Sequence, residues 1–141
     1  MNWRNRKLVR SVQIIFGLIL LLFGANSIFQ FLPAMEFNSN GAELLGAFFD
    51  ARYIFPIIGV IWVVCAVFFI IDQWSAAATL FVLPVTVNII LFHIFLDFTG
   101  VWAGLIMLIL NSYMIYVHWP VYSPIFCRPK KIPVRMGKKI K

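Results

Sequence analysis

Charge is scarce in this sequence. Only 12% of its 141 residues are charged, whereas a soluble domain of this size carries about a quarter. With 62% hydrophobic residues and a mean hydropathy of +0.93, one core cannot hide all the apolar surface. That excludes an ordinary water-soluble globule, and lipid is the solvent the composition calls for. There are two cysteines and no CxxC pair, so neither a disulfide framework nor a dithiol redox motif is expected. Cys65 sits in an apolar run and reads as a small buried hydrophobe, while Cys127 sits in a basic tail. The two histidines, His93 and His118, fall near opposite membrane faces, which argues against a paired-histidine haem or metal site. No phosphate-cradling glycine loop and no Ser/His/Asp set is present. Neither a catalytic residue nor a metal ligand can be assigned.

What charge there is lies at the ends. The net charge of +7 could suggest nucleic acid, but its placement points to a bilayer. Arg4, Arg6, Lys7 and Arg10 precede the first apolar run. Arg128, Lys130, Lys131, Arg135, Lys138, Lys139 and Lys141 follow the last, and only Arg52 lies between. This is a juxtamembrane distribution suited to anionic lipid headgroups.

Four apolar runs are visible: Val12–Leu32, Tyr53–Ile71, Ala76–Leu96 and Val101–Trp119. Each is near the ~20 residues that cross about 30 Å of hydrocarbon as a helix. None alternates like a barrel strand. The first follows a basic head like a signal peptide, but it is too long and lacks a clear cleavage site, so it reads as a retained helix. The links at 72–75 and 97–100 are short and force antiparallel neighbours. The longer link from Pro33 to Arg52 carries Asn40 three residues before Glu43, a capping pattern. It opens a short helix with Leu44, Leu45, Phe48 and Phe49 on one side, suited to lie in the interface as a lid.

The expected fold is therefore all-α: an integral membrane four-helix bundle with a short interfacial helix between helices one and two. Residues 1–119 form the transmembrane domain. Residues 120–141, with prolines at 120, 124, 129 and 133, form a basic tail that should not continue as a helix. The positive-inside rule places both termini in the cytoplasm and the chain in the plasma or inner cell membrane.

Polar residues inside apolar runs are the main clues to function. Thr86, His93 and Asp97 fall on one face of helix three, within about 40°. One turn apart, the Asp97 carboxylate could hold the His93 imidazole. The alternative is structural: Asp97 ends the helix and His93 donates to a neighbour. Asn26 and Gln30 lie at similar depth on helix one. If helices one and three pack together, all five meet under the lid in a polar pocket. Asn88 and Asn111, both near the midplane, suggest an interhelical clamp between helices three and four. Pro84 should kink helix three. Gly17 with Gly24, and Gly59 with Ala66, offer flat sides for close helix packing.

Residues 53–60, 83–97 (with Asn88, Phe92, His93 and Asp97 the most distinctive) and 23–27 followed by Pro33 resemble the DoxX-like family of small four-helix membrane proteins. The likeness spans most of residues 8–118. It implies that Asn26, Asn88 and His93 are characteristic polar positions. It also implies a non-catalytic membrane subunit or partner of a redox system, with quinone as the cofactor candidate and a membrane or redox protein as partner. Helix two departs from the family's pattern, because Trp62 and Cys65-Ala66 stand where an acidic residue and glycines are expected. That departure puts redox chemistry of the chain's own in doubt. Two other functions fit the polar residues. One is a small proton-coupled transport or solute-binding protein using His93 and Asp97. The other is a membrane assembly factor acting through helix contacts.

Overall fold

The computed structural model describes residues 5–33 and 37–126. Among these there are five α-helices, one 3₁₀ turn and no strand. The first, α1 (Arg6–Phe29), starts where the Asn5 side chain accepts from the Lys7 N–H at 3.0 Å. Helix therefore begins in the basic head, ahead of the apolar run. It ends because Gln30 turns left-handed (φ 52°) and returns its N–H to the Asn26 carbonyl. The short α2 (Ser39–Asp50) precedes α3 (Ile54–Ile71), α4 (Ser75–Phe95), the 3₁₀ turn Phe98–Gly100 and α5 (Val101–Phe126). Of these, α1, α3, α4 and α5 are each long and apolar enough to cross a membrane.

The short links close by backbone geometry. Asp72 (φ 60°) ends α3 and gives its N–H to the Phe68 and Phe69 carbonyls. Trp74 (φ 61°) then starts α4. Left-handed non-glycine residues cost about 1–2 kcal/mol each, and both gain partners: the Asp72 carboxylate accepts from Gln13 at 2.9 Å, and the Trp74 ring stacks on Phe68.

Packing is by antiparallel neighbours. The closest pair is α1 with α3, where Gly24 meets Gly59: a methyl added at Gly59 would lie 2.7 Å from the Gly24 carbonyl. Backbones approach this closely only where both lack side chains. Helices α4 and α5 form the second pair, and α3 also contacts α4. Phe16, Leu20, Ala66, Phe69, Ala78, Val82 and Met114 are fully buried at the centre. The outer surface is equally apolar: Ile15, Leu18, Ile57, Val60, Phe81, Ile94 and Ile109 are all more than half exposed.

Two expectations are corrected. The cap of α2 is Asn38, not Asn40; its side chain accepts from the Gly41 N–H at 3.1 Å. It wins because its own N–H is anchored on Asp97. Helix α4 contains Pro84 and spans Ser75–Phe95 without a break. Secondly, helix does not stop at residue 119: α5 continues through Pro120 and Pro124 to Phe126. Those prolines are four apart and both exposed, so the lost backbone bonds fall on one outer side. Tyr122, buried, ties this last part of α5 to α4 by donating its hydroxyl to the Ala76 carbonyl at 2.7 Å. The rest of the expected tail, from Cys127 to Lys141, lies outside the described residues.

Candidate functional site

Asp97 organises the end of the bundle where α4 meets α2. It is buried, at 1% exposure, and its carboxylate is fully used by backbone and hydroxyl. Oδ1 accepts from the Thr99 N–H at 2.9 Å and the Thr99 hydroxyl at 2.5 Å, and Oδ2 accepts from the Asn38 N–H at 2.9 Å. The Thr99 hydroxyl, then the Thr99 and Asn38 amides, hold its pKa below the usual carboxylate range, since all three bonds favour the charged form.

His93 meets Asp97 differently from the expected side-chain pair. Its Nδ1 lies 2.9 Å from the Asp97 backbone carbonyl. A carbonyl only accepts, so Nδ1 carries the hydrogen and Nε2 is the acceptor nitrogen of the ring. The carboxylate caps the turn while the carbonyl of the same residue sets the tautomer. The ring is buried at 8% exposure, edge-on to Phe92 and pressed against Gly100, where an added methyl would overlap Cε1.

The other predicted pocket residues lie elsewhere. Thr86 is fully buried, and its hydroxyl returns to the Val82 carbonyl at 3.1 Å. Asn26 uses Oδ1 to accept from the Leu32 N–H at 2.7 Å. Gln30 is exposed as the left-handed cap. Since α1 packs along α3 and, more lightly, α5, Asn26 and Gln30 serve the end of α1. Among the described residues no hydrogen bond joins them to Thr86, His93 or Asp97. The five do not form one pocket.

The Asn88–Asn111 pair is also not made. Asn111 is fully buried and clamps α5 to α4 through the Thr79 carbonyl, 3.3 Å from Nδ2, leaving Oδ1 without a partner. Asn88 points outward and is exposed. It lines a groove of about 290 Å³ between α2 and α4 with Leu44, Leu91, Phe92, Phe95 and Leu96. A groove thus exists beside α2, but Asn88 rather than the expected set supplies its polar group.

Sequence reasoning missed a second constellation at the opposite end. Arg10 donates to the Phe69 carbonyl at 2.9 Å and to the Ile70 carbonyl, capping the C-terminus of α3. Beside it, Gln13, 2% exposed, holds Asp72. The signal was available: two polar residues three apart at the head of helix one, level with the only acid on that side. Among the described residues no cluster of three potential metal ligands occurs. No family model, no curated protein and no solved structure matches this chain.

Proposed function

We propose that this chain is a multi-pass membrane subunit that acts by associating with a partner membrane protein, as its resemblance to the DoxX-like family suggests. One observation carries the reading: Asn88 is exposed on the outer surface of α4, seven residues before the end of a helix apolar enough to span a membrane. Seven residues are about 10 Å of helix, which puts the amide inside the hydrocarbon. An amide facing lipid there forgoes hydrogen bonds that a partner helix would supply. The adjoining groove, apolar but for Asn88, also suits a quinone ring, with the amide donating to a ring oxygen. The basic ends, on this reading, face the cytoplasm.

The test is a photo-crosslinking residue at position 88 in native membranes, followed by gentle detergent extraction and analysis of bound organic cofactors. A specific adduct with a membrane protein, or co-extracted quinone, supports the reading. Adducts only to lipid, with no quinone, would end it.

A second reading, proton-coupled transport, draws on His93. Its Nδ1 is held as a donor to the Asp97 carbonyl, which leaves Nε2 as the acceptor nitrogen. Unchanged pH-gradient-driven uptake by His93→Ala in proteoliposomes removes that reading.

A further inference from the structure

At the end of the bundle opposite α2, a cleft of about 1020 Å³ opens between the first turns of α1 and the later part of α5. Its walls include Arg6, Lys7, Arg10, Gln13, Asp72 and His118. Arg6, Arg10 and Gln13 lie within about 60° on one face of α1. Two of these have fixed tasks: Arg10 caps α3, and Gln13 holds the one carboxylate of the cleft. His118 turns Nδ1 to the Met114 carbonyl at 2.9 Å, so Nε2 remains available. The side chains of Arg6 and Lys7 are exposed and have no hydrogen-bond or ion-pair partner among the described residues. From α5, Val117 and His118 form the facing side of the notch. Small-molecule sites commonly measure about 300–1,000 Å³, so this one has room for a headgroup with its glycerol, beyond a single ion.

We propose that this cleft is a specific site for a phospholipid with an anionic phosphate headgroup, its phosphate held by Arg6 and Lys7. The site rests on the membrane placement above and is independent of the role of Asn88. Arg10 and Gln13 keep the floor rigid by tying α1 to the end of α3. The positive end of the α1 dipole adds to the attraction. Val9 and Val117, which also line the cleft, give the glycerol and first methylenes an apolar wall. A basic notch between helices differs from diffuse attraction of basic tails because it has shape, and hence headgroup selectivity.

Native mass spectrometry of the full chain in detergent tests this, with dioleoylphosphatidylglycerol and dioleoylphosphatidylcholine added in equal amounts. The wild type retains the anionic lipid selectively. At roughly fivefold per basic residue near a membrane surface, R6Q/K7Q binds it about 25-fold more weakly. S11W keeps every charge, fills the cleft from an exposed lining position, and also loses the lipid. K138Q/K139Q/K141Q removes more charge from the tail and leaves binding unchanged. Inorganic phosphate at the lipid's concentration fails to displace it. Equal retention of both lipids, loss in the tail variant but not in R6Q/K7Q or S11W, or displacement by inorganic phosphate overturns the proposal.

Discussion

The backbone N–H of Asn38 donates to Oδ2 of Asp97 at 2.9 Å, across 59 residues of chain. One carboxylate thereby caps the 3₁₀ turn that leads into α5 and fastens the first residues of α2. Gly41 completes the fit: a methyl there would lie 3.2 Å from Cβ of Asp97 and from Cζ of Phe92. The Asp97 carboxylate is the ionised group in this seat of α2 on the end of α4, beside the edge-on contact of Phe37 with Phe92.

Replacing that group should release α2. Asp97→Ala is expected to speed amide exchange at residues 38–41 well before α3 or α4 is affected, read by hydrogen–deuterium exchange in nanodiscs. The same opening should follow acidification. Asp97 has a pKa lowered in the fold, so its stabilisation is complete above the ordinary carboxylate range. It fades as pH falls through that range towards the depressed value. Protection of 38–41 that, once corrected for the intrinsic pH dependence of amide exchange, does not fall with acid would contradict this.

Gly100 should tolerate no side chain. Its φ is not positive, so the constraint is space: a methyl overlaps the His93 ring. Gly100→Ala is expected to destabilise the bundle by about 1–3 kcal/mol. Adding His93→Ala should recover part of that, because the two residues share one contact. Thermal unfolding of the single and double variants measures the coupling.

Two glycines should respond in opposite directions. At Gly59 a methyl would sit 2.6 Å from Ile28 and 2.7 Å from the Gly24 carbonyl. Gly59→Ala must push α1 away from α3, at a cost of about 1–3 kcal/mol. At Gly46 nothing lies within 4 Å, and Gly46→Ala should stabilise α2 by up to about 1 kcal/mol through helix propensity. Equal effects at both positions would show that backbone contact does not limit the α1–α3 approach.

Asn111 offers a test of polar burial. Its Nδ2 reaches the Thr79 carbonyl while Oδ1 stays unpaired. Asn111→Leu removes one long bond and one unsatisfied acceptor together, so stability should change by less than about 1 kcal/mol. Asn111→Asp sets a carboxylate against a carbonyl in the core and should cost about 3 kcal/mol or more. Chemical unfolding in detergent distinguishes the two.

Much of the architecture was legible in the residues. Uninterrupted apolar length defines a spanning helix without reference to neighbours, and short links impose antiparallel order. Gly17, Gly24, Gly59 and Ala66 were readable as close-packing positions because small residues have few other uses inside such helices. The polar residues were not legible in the same way. Helical spacing placed His93 and Asp97 on one face but could not say which atom of Asp97 meets the ring. Asn88 and Asn111 matched in depth, yet depth does not specify rotation about the helix axis. One amide faces the core and the other faces outward. The end of α5 was misjudged because proline propensity is local, while the Tyr122–Ala76 bond that holds those residues is not.

Composition and the order of apolar runs determined that this chain carries four helices long and apolar enough to span a membrane, with basic residues towards both ends, since those properties depend only on local transfer energies and chain length. Tertiary structure alone decided which helices became neighbours, which polar groups were consumed as caps, and which remained outward at Asn88, Arg6 and Lys7. Pairing and rotation are set by close packing between distant segments, such as Gly24 against Gly59, and no single segment carries that information.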